Sequence, residues 1–346
     1  MNPYVLSMLL SSLSTGTIIT LVSNHWFLAW VGLELNTLAI VPLMSKMHHP
    51  RATEAATKYF LVQAVASALI LFATMLNAWY TGEWTIINMQ MNTPTLLLTS
   101  ALLIKLAVAP FHMWMPDVMQ GLSLIICLIL STWQKLAPMA LLILIAPKTN
   151  PMLLTLLGTL SLLVGGWGGL NQLQLRKIMA YSSIAHLGWM IIILSFMPNL
   201  TLFNLLIYIL MTTTMFLIMM DFSSTSTNKM TSSWMKNLTL TSTMMMILMS
   251  MGGLPPTSGF LPKWMILEEI IKQNLTLLAT TAAISALLSL FFYLRLSYMM
   301  SLTTPPAPLN SKIMWRLNMI PNQILAMMII ISTLLLPITP SILNLM

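Results

Sequence analysis

Long apolar runs follow one another along almost the whole chain, with short polar segments between them. A membrane-spanning helix needs about 20 mostly apolar residues, and the short alternating segments of a membrane β-barrel are absent. The pattern therefore predicts an all-α, polytopic membrane protein with about eleven transmembrane helices. The predicted spans lie near residues 3–22, 24–44, 58–79, 94–116, 122–145, 151–170, 177–196, 199–221, 238–270, 274–298 and 321–342.

Two of these spans contain helix-breaking sequence. The fourth reads LLTSALLIKLAVAPFHMWMPD, with Pro110 and Pro116 inside it, and the ninth is interrupted by GGLPPTSGF. Because proline removes a backbone hydrogen bond and clashes with the preceding turn, we expect each of these spans to form two half-helices. Each break occupies the fourth place in a block of five spans. Since five is odd, the two blocks enter the membrane in opposite senses, which indicates an inverted repeat.

This symmetry predicts one membrane domain, residues 1–346, that contains two five-helix repeats and a C-terminal segment. The first repeat covers 1–148, with its broken helix at 94–116. The second covers 149–300, with its broken helix at 238–270. Residues 301–346 are predicted to form a loop and a C-terminal helix.

Composition excludes several classes of protein. The chain is 58% hydrophobic and 6% charged, with a mean hydropathy of +0.86, whereas a soluble domain is about 25% charged. The single cysteine, Cys127, excludes a disulfide within the chain and a thiolate-held cluster. No two histidines have the i, i+3 or i, i+4 spacing of a metal site, and glycine-rich nucleotide motifs are absent. We therefore expect no cofactor, metal or nucleic acid on this chain.

The net charge of +8 is distributed unevenly between the two sides of the membrane. The side of the N-terminus carries Lys46, Arg51, Lys58, Arg176, Lys177, Lys229, Lys236, Arg295, Lys312 and Arg316, and the other side carries Lys148 and Lys272. By the positive-inside rule, the N-terminus faces the side where synthesis occurs. Because the first basic residue is Lys46, we expect neither a signal peptide nor a transit peptide.

Apart from the charged residues at the ends of spans, four charged side chains fall inside predicted spans: Glu34, Lys105, Lys135 and Lys263. Each costs about 2.5 to 3.5 kcal/mol at the membrane centre, so such residues usually face a bundle interior and mark ion pathways. Burial favours a neutral amine, whereas a carboxylate beside Lys105 favours the charged form. Moving Glu34 and Lys105 apart would therefore switch the protonation of the lysine.

Structural interpretations of the same residues stay open at this point. A lysine can extend to the membrane surface or pair with a partner subunit, which applies most to Lys135 near a span end. Glu34 can serve only as a structural partner of Lys105. His186, in YSSIAHLGWM, can relay protons or pack as a hydrogen-bonded side chain.

Four motifs resemble the proton-pumping antiporter-like subunits of NADH:ubiquinone oxidoreductase, respiratory complex I. They are APFHMWMPD shortly after Lys105, GGLPPTSGFLP directly before Lys263, ATKYFLVQA at 56–64 and YSSIAHLGW at 181–189. The resemblance implies a core membrane subunit without a redox active site of its own. It places NADH, FMN, iron–sulfur clusters and ubiquinone on partner subunits, and it implies contacts with other membrane and peripheral subunits of the complex and with lipids.

The resemblance also assigns roles to individual residues. Glu34 and Lys105 match the carboxylate–lysine pair of the family, Lys135 the bridging lysine, and Lys263 the terminal residue in the second broken helix. His186 lies where the family places polar groups between two half-channels, which makes it a candidate relay. Protons would pass from Lys105 through Lys135 and ordered water to Lys263, driven by quinone reduction elsewhere. The implied location is the mitochondrial inner membrane, with the N-terminus in the matrix.

Two other functions use the same features. A stand-alone cation/proton antiporter shares the inverted repeat and the buried charges, but Glu34 is the only carboxylate deep in a predicted span, and a sodium site prefers more oxygen ligands. A non-conducting assembly scaffold would use the charges only to pair with neighbouring subunits.

Overall fold

The computed structural model describes residues 2–47, 49–89, 91–303, 323–339 and 341, and most of these residues are helical. The α-helices are α1 (Pro3–Val22), α2 (Trp26–Met44), α3 (Pro50–Thr81), α4 (Asn92–Leu106), α5 (Trp114–Gly121), α6 (Leu124–Ser131), α7 (Trp133–Ile145), α8 (Pro151–Gly169), α9 (Leu175–Leu194), α10 (Pro198–Asp221), α11 (Thr227–Thr231), α12 (Leu238–Gly252), α13 (Phe260–Lys272), α14 (Thr276–Leu302) and α15 (Gln323–Leu334). Lys312 and Arg316 of the charge count, with most of the predicted segment 301–346, lie outside the described residues.

The predicted all-α membrane class is confirmed. Within the described ranges, eight helical segments are long and apolar enough to cross a membrane: α1, α2, α3, Leu124–Lys148 (which contains α6 and α7), α8, α9, α10 and α14. The other three predicted spans correspond to shorter helices, namely α4 with α5, α12 with α13, and α15. The total of eleven crossings therefore stays a prediction.

The chain divides into two compact units. Unit 1 consists of Met1–Ser161 and Leu194–Pro198, and unit 2 consists of Leu162–Ile193 and Asn199–Met346. Unit 1 contains the first broken helix, and unit 2 contains the second. The repeat boundaries expected from the sequence, 1–148 and 149–300, stay a prediction.

Both helix breaks occur where the prolines predict them, and each begins four residues before a proline. Helix α4 ends at Leu106, ahead of Pro110, and helix α12 ends at Gly252, ahead of Pro256. A proline ring clashes with the carbonyl four residues earlier, and the residue before a proline disfavours helical geometry. The helices therefore stop a full turn before the prolines themselves.

The two broken helices also end with the same backbone geometry. The residue after each helix is left-handed, with φ of 63° at Ala107 and 81° at Gly253. In both breaks the N–H of the following residue bonds to the carbonyl five positions earlier, at 3.1 Å in the first and 3.3 Å in the second. This is the pattern of a Schellman-type helix end. The two half-helix ends are thus alike although their sequences differ.

The fifth predicted span, 122–145, contains an interruption that the sequence pattern does not predict. Helix α6 ends at Ser131 and α7 begins at Trp133, with Thr132 between them at φ −112° and ψ −67°. The hydroxyl of Thr132 donates to the carbonyl oxygen of Leu128 at 2.7 Å. Such back-bonding from threonine bends helices, and here it coincides with the start of the helix that carries Lys135.

Small residues allow close helix packing inside each unit. In unit 1, a methyl group on Gly16 of α1 would lie 2.9 Å from the carbonyl oxygen of Gly32 in α2. In unit 2, a methyl group on Gly165 of α8 would lie 2.7 Å from the backbone nitrogen of Ala185 in α9. Such glycines let backbones approach in membranes, where apolar burial does not drive helix association.

Candidate functional site

A small polar cavity lies inside unit 1, against the broken end of α4. Its volume is about 20 Å³, which is enough for one water molecule. It is lined by Leu33, Asn36 and Thr37 of α2, Tyr59 and Gln63 of α3, Lys105 and Leu106 of α4, Trp114 and Met115 of α5, Leu130 of α6, and Gln134, Lys135 and Pro138 of α7. The cavity thus joins residues from six helices.

Lys105 reaches this cavity from the last turn of α4. Its side chain is buried, and its Nζ atom has no hydrogen-bond partner among the residues that the structure describes. A buried ammonium group without partners is costly, and water is the partner that a cavity of this size and polarity admits. The carbonyl end of α4 adds negative partial charge close to the amine. The site is therefore suited to a lysine that binds water and changes its protonation.

Lys135 lines the same cavity from the first turn of α7, and its side chain is 5% exposed. The structure therefore brings Lys105 and Lys135, which are thirty positions apart in the sequence, to a single water-sized space. Two lysines on one cavity permit proton transfer between them through water, provided that one is neutral when the other is charged.

Three amide side chains of the cavity, Asn36, Gln63 and Gln134, were not predicted as site residues from the sequence. Amide groups both donate and accept hydrogen bonds, so they can orient a water molecule between two amines. A signal was present, because each is an uncharged polar residue inside an apolar span. This signal is weak, because such side chains also form hydrogen bonds with the backbone. The Gln134 amide, for example, donates to the carbonyl oxygen of Asn36 at 3.4 Å.

Glu34 is half-buried on α2 and lies close enough to Lys105 and Tyr59 to act on both electrostatically. Its Oε2 atom accepts a hydrogen bond from the Thr37 hydroxyl at 3.0 Å. The ion pairs within 4 Å that the structure gives, Lys58 with Glu54 and Asp117 and Lys272 with Glu268 and Glu269, do not include Glu34 with Lys105. Glu34 and Lys105 are therefore neighbours without a contact ion pair.

Lys263 occupies the corresponding break in unit 2. It lies in the first turn of α13 and is 9% exposed. Its Nζ atom donates to the carbonyl oxygen of Gly252 at 2.8 Å and to that of Met251 at 3.4 Å. These are two of the free carbonyls at the end of α12, where the helix dipole favours a cation. The amine thus caps one half-helix from the start of the other.

The space for this amine depends on Gly253. A methyl group at that position would lie 2.9 Å from both Cδ and Nζ of Lys263, and the backbone there is left-handed. Glycine at position 253 therefore leaves room for the Lys263 side chain and also adopts the left-handed backbone without strain. Side-chain contacts of this kind could not be read from the sequence, where Gly253 is simply one of several glycines in the break.

His186, the candidate relay, lies on α9 in unit 2 and is half-buried. Its ring packs against Tyr208 of α10, with 5.4 Å between the ring centroids. The five residues singled out from the sequence thus divide between the units: Glu34, Lys105 and Lys135 belong to unit 1, and His186 and Lys263 belong to unit 2.

Buried lysines beside two similarly broken helices define a membrane protein of the ion-translocating class, in which half-helix ends and intramembrane charges mark the transport sites. Comparison with known families narrows this class. The transmembrane family described as NADH:quinone oxidoreductase/Mrp antiporter matches residues 23–289, and NADH dehydrogenase subunit 2 C-terminus matches residues 290–343. The chain belongs to this family, and it is a core membrane subunit of proton-translocating NADH:ubiquinone oxidoreductase, complex I.

Individual relatives agree with this assignment. The chain is 58% identical to NADH-ubiquinone oxidoreductase chain 2 of Formosania lacustris, covering 100% of this chain and 99% of the relative, and 54% identical to that of Xenopus laevis, covering 98% and 99%. A chain of respiratory complex I from Thermus thermophilus has a TM-score of 0.83 at 26% identity, with 96% of this chain and 78% of that chain covered. A chain of the Mrp complex from Dietzia sp. shares the fold at 19% identity, with a TM-score of 0.77 and coverages of 86% and 61%.

Proposed function

We propose that protons cross the membrane by way of the buried lysines of this subunit, with Lys105 and Lys135 acting in unit 1 and Lys263 acting in unit 2. The observation that carries the proposal is the water-sized cavity that both lysines of unit 1 line, together with the unpartnered Nζ atom of Lys105. A water molecule in the cavity would give the amine of Lys105 a hydrogen-bond partner. The same water molecule can pass a proton onward.

Glu34 sets the charge of Lys105 in this mechanism. At an effective dielectric constant near 20, opposite unit charges about 4 Å apart attract by about 4 kcal/mol. Approach of the Glu34 carboxylate favours the ammonium form of Lys105, and its withdrawal favours release of the proton to the cavity water. Lys135 accepts that proton across the cavity. The hydrogen bond from the Thr37 hydroxyl, at 3.0 Å, orients the carboxylate in the observed arrangement.

Lys263 performs the last step inside the subunit. While protonated, its amine donates to the free carbonyls of α12, and loss of the proton weakens both hydrogen bonds. The proton then leaves to the side opposite the N-terminus. His186 serves as the relay ahead of Lys263.

The energy for these steps comes from outside the chain. We infer that NADH, FMN, the iron–sulfur clusters and ubiquinone are bound by partner subunits, and that quinone reduction there shifts charge or structure toward this subunit. We also infer a location in the mitochondrial inner membrane with the N-terminus in the matrix. The excess of lysine and arginine on the N-terminal side supports that orientation.

Glu34→Gln tests the proposed charge switch in the complete complex, reconstituted into vesicles. We expect translocation through this subunit to slow about tenfold, which corresponds to about 1.4 kcal/mol, because the amide cannot stabilise the ammonium form of Lys105. Glu34→Asp, which keeps the charge, should restore part of the rate. The matched control is Glu83→Gln, an exposed carboxylate in the loop after α3.

Three outcomes separate the candidate functions. Native translocation by the Glu34→Gln complex would contradict the charge switch. Parallel loss of assembly and translocation in Glu34→Gln and in the lysine variants would favour the scaffold. Cation/proton exchange by the chain alone in vesicles would favour a stand-alone antiporter.

A further inference from the structure

Unit 2 contains two buried tyrosines that the mechanism so far does not use. Tyr208 of α10 is 2% exposed and Tyr293 of α14 is 1% exposed. The hydroxyl of a buried tyrosine normally has a hydrogen-bond partner. Tyr208 lies next to the candidate relay His186, and Tyr293 lies next to the residue that binds Lys263, so both hydroxyls are candidates for proton transfer.

Tyr208 lies directly against His186. The two rings are 5.4 Å apart between centroids, and the hydroxyl of Tyr208 hydrogen-bonds to the side chain of Ser183. Ser183 is buried on α9, and its own hydroxyl proton is donated to the carbonyl oxygen of Ala180 at 2.7 Å. The serine oxygen can therefore only accept from Tyr208, so it orients the tyrosine hydroxyl.

Tyr293 lies beside the neighbouring serine but forms no hydrogen bond with it. Its hydroxyl lies beside Ser182, whose proton is donated to the carbonyl oxygen of Met179 at 2.7 Å, and it interacts electrostatically with Tyr208. The hydroxyl oxygen of Tyr293 is fully buried, yet it has no hydrogen-bond partner among the described residues. A buried hydroxyl in this state is a binding position for water.

Tyr293 also adjoins the residue that holds Lys263. A methyl group on Gly252 would lie 3.7 Å from Cδ2 of the Tyr293 ring, and the carbonyl of Gly252 accepts the 2.8 Å hydrogen bond from Lys263. His186, Tyr208, Tyr293, Gly252 and Lys263 are therefore successive neighbours within unit 2, with Tyr208 and Tyr293 close enough to act on each other electrostatically.

We propose that Tyr208 and Tyr293 form a hydroxyl relay that passes protons between His186 and Lys263 with the help of water, while Ser183 orients the hydroxyl of Tyr208. In each transfer a phenol oxygen accepts a proton from one side and releases its original hydrogen to the other. The phenol returns to its neutral form, so no net charge stays on it. This inference rests on the proposed function, because a relay needs a proton-carrying lysine at its end.

Tyr293→Phe tests the relay, because it removes one hydroxyl and keeps the ring that packs against Gly252. The complete complex is reconstituted into vesicles, and proton translocation is measured per assembled complex, with NADH oxidation by an artificial acceptor as the measure of amount. We expect Tyr293→Phe to lose as large a share of translocation as Lys263→Met does. Tyr298→Phe is the control, since Tyr298 is on the same helix and is 58% exposed.

The outcomes distinguish the relay from the proposed function. Native translocation by Lys263→Met would overturn the proposed function and the relay with it. Loss in Lys263→Met with native translocation in Tyr293→Phe would overturn the relay alone. If Tyr293→Phe lowers the amount of assembled complex, Ser183→Ala decides, because it removes the hydrogen-bond acceptor of the Tyr208 hydroxyl and leaves both tyrosines intact. Reduced translocation per complex in Ser183→Ala supports the relay, and native translocation overturns it.

Discussion

We expect complex I that carries Lys105→Met to assemble in normal amount but to translocate protons through this subunit about 100-fold more slowly. The size of the effect follows from removing a positioned proton-transfer group, which contributes about 10²- to 10⁴-fold to such steps. Assembly is kept because methionine fills a similar volume without an unpartnered polar atom in the cavity. The measurement is membrane-potential formation by the reconstituted complex during NADH oxidation.

Lys148→Met is the matched control for this substitution. Lys148 is exposed beyond the end of α7 and lines no part of the cavity, so we expect native assembly and native translocation. Lys105→Met at the native rate would show that the cavity lysine carries no proton. Equal losses of assembly and translocation would show that Lys105 acts through folding or subunit contacts instead.

Gly253→Ala is expected to have the second largest effect, although it adds only one methyl group. The methyl meets Cδ and Nζ of Lys263 at 2.9 Å, so the end of the lysine side chain must shift, and we expect its hydrogen bond to the carbonyl of Gly252 to weaken. The left-handed backbone adds a strain of about 1 to 2 kcal/mol. We expect translocation to approach that of Lys263→Met, measured in the same vesicle assay, with the thermal stability of the complex lowered slightly.

Gly82→Ala separates the two causes. Gly82 ends α3 with φ of 74°, so alanine is strained there as well, but a methyl group at that position contacts nothing within 4 Å. It should therefore lower stability by a comparable amount and leave translocation unchanged. If Gly82→Ala and Gly253→Ala reduced translocation equally, backbone strain alone would explain the loss, and the contact with Lys263 would be irrelevant.

The sequence predicted those features that depend on local chemistry. The breaks near Pro110 and Pro256 follow from proline, whose effect on a helix reaches four residues back and no further. The membrane class follows from apolar run length. The intramembrane charges stand out because so few charged residues occur in the spans.

Features that depend on packing between helices could not be predicted in the same way. The interruption at Thr132 has no proline or glycine beside it, and the hydroxyl bond responsible forms equally well in straight helices. Gln63 and Gln134 acquire their place only because α3 and α7 meet the end of α4. The separation of Glu34 from Lys105, close but without a contact ion pair, is likewise a distance between helices, which spacing along the chain does not determine.

The similarity between the two half-helix ends was predicted only in part from the sequence. The sequence placed a break at the fourth position of each block, but the shared left-handed residue is alanine in one break and glycine in the other. Alanine rarely adopts this conformation, so propensity alone argues against it at position 107. The backbone at position 107 therefore has a geometry that the residue itself does not favour.

The most direct test of the central claim counts the protons translocated per NADH oxidised by the reconstituted complex. Native complex is compared with a double variant, Lys105→Met with Lys263→Met, at equal rates of electron transfer. If the buried lysines of this subunit carry protons, the double variant translocates fewer protons per NADH than the native complex. An unchanged ratio in a fully assembled double variant would contradict that account.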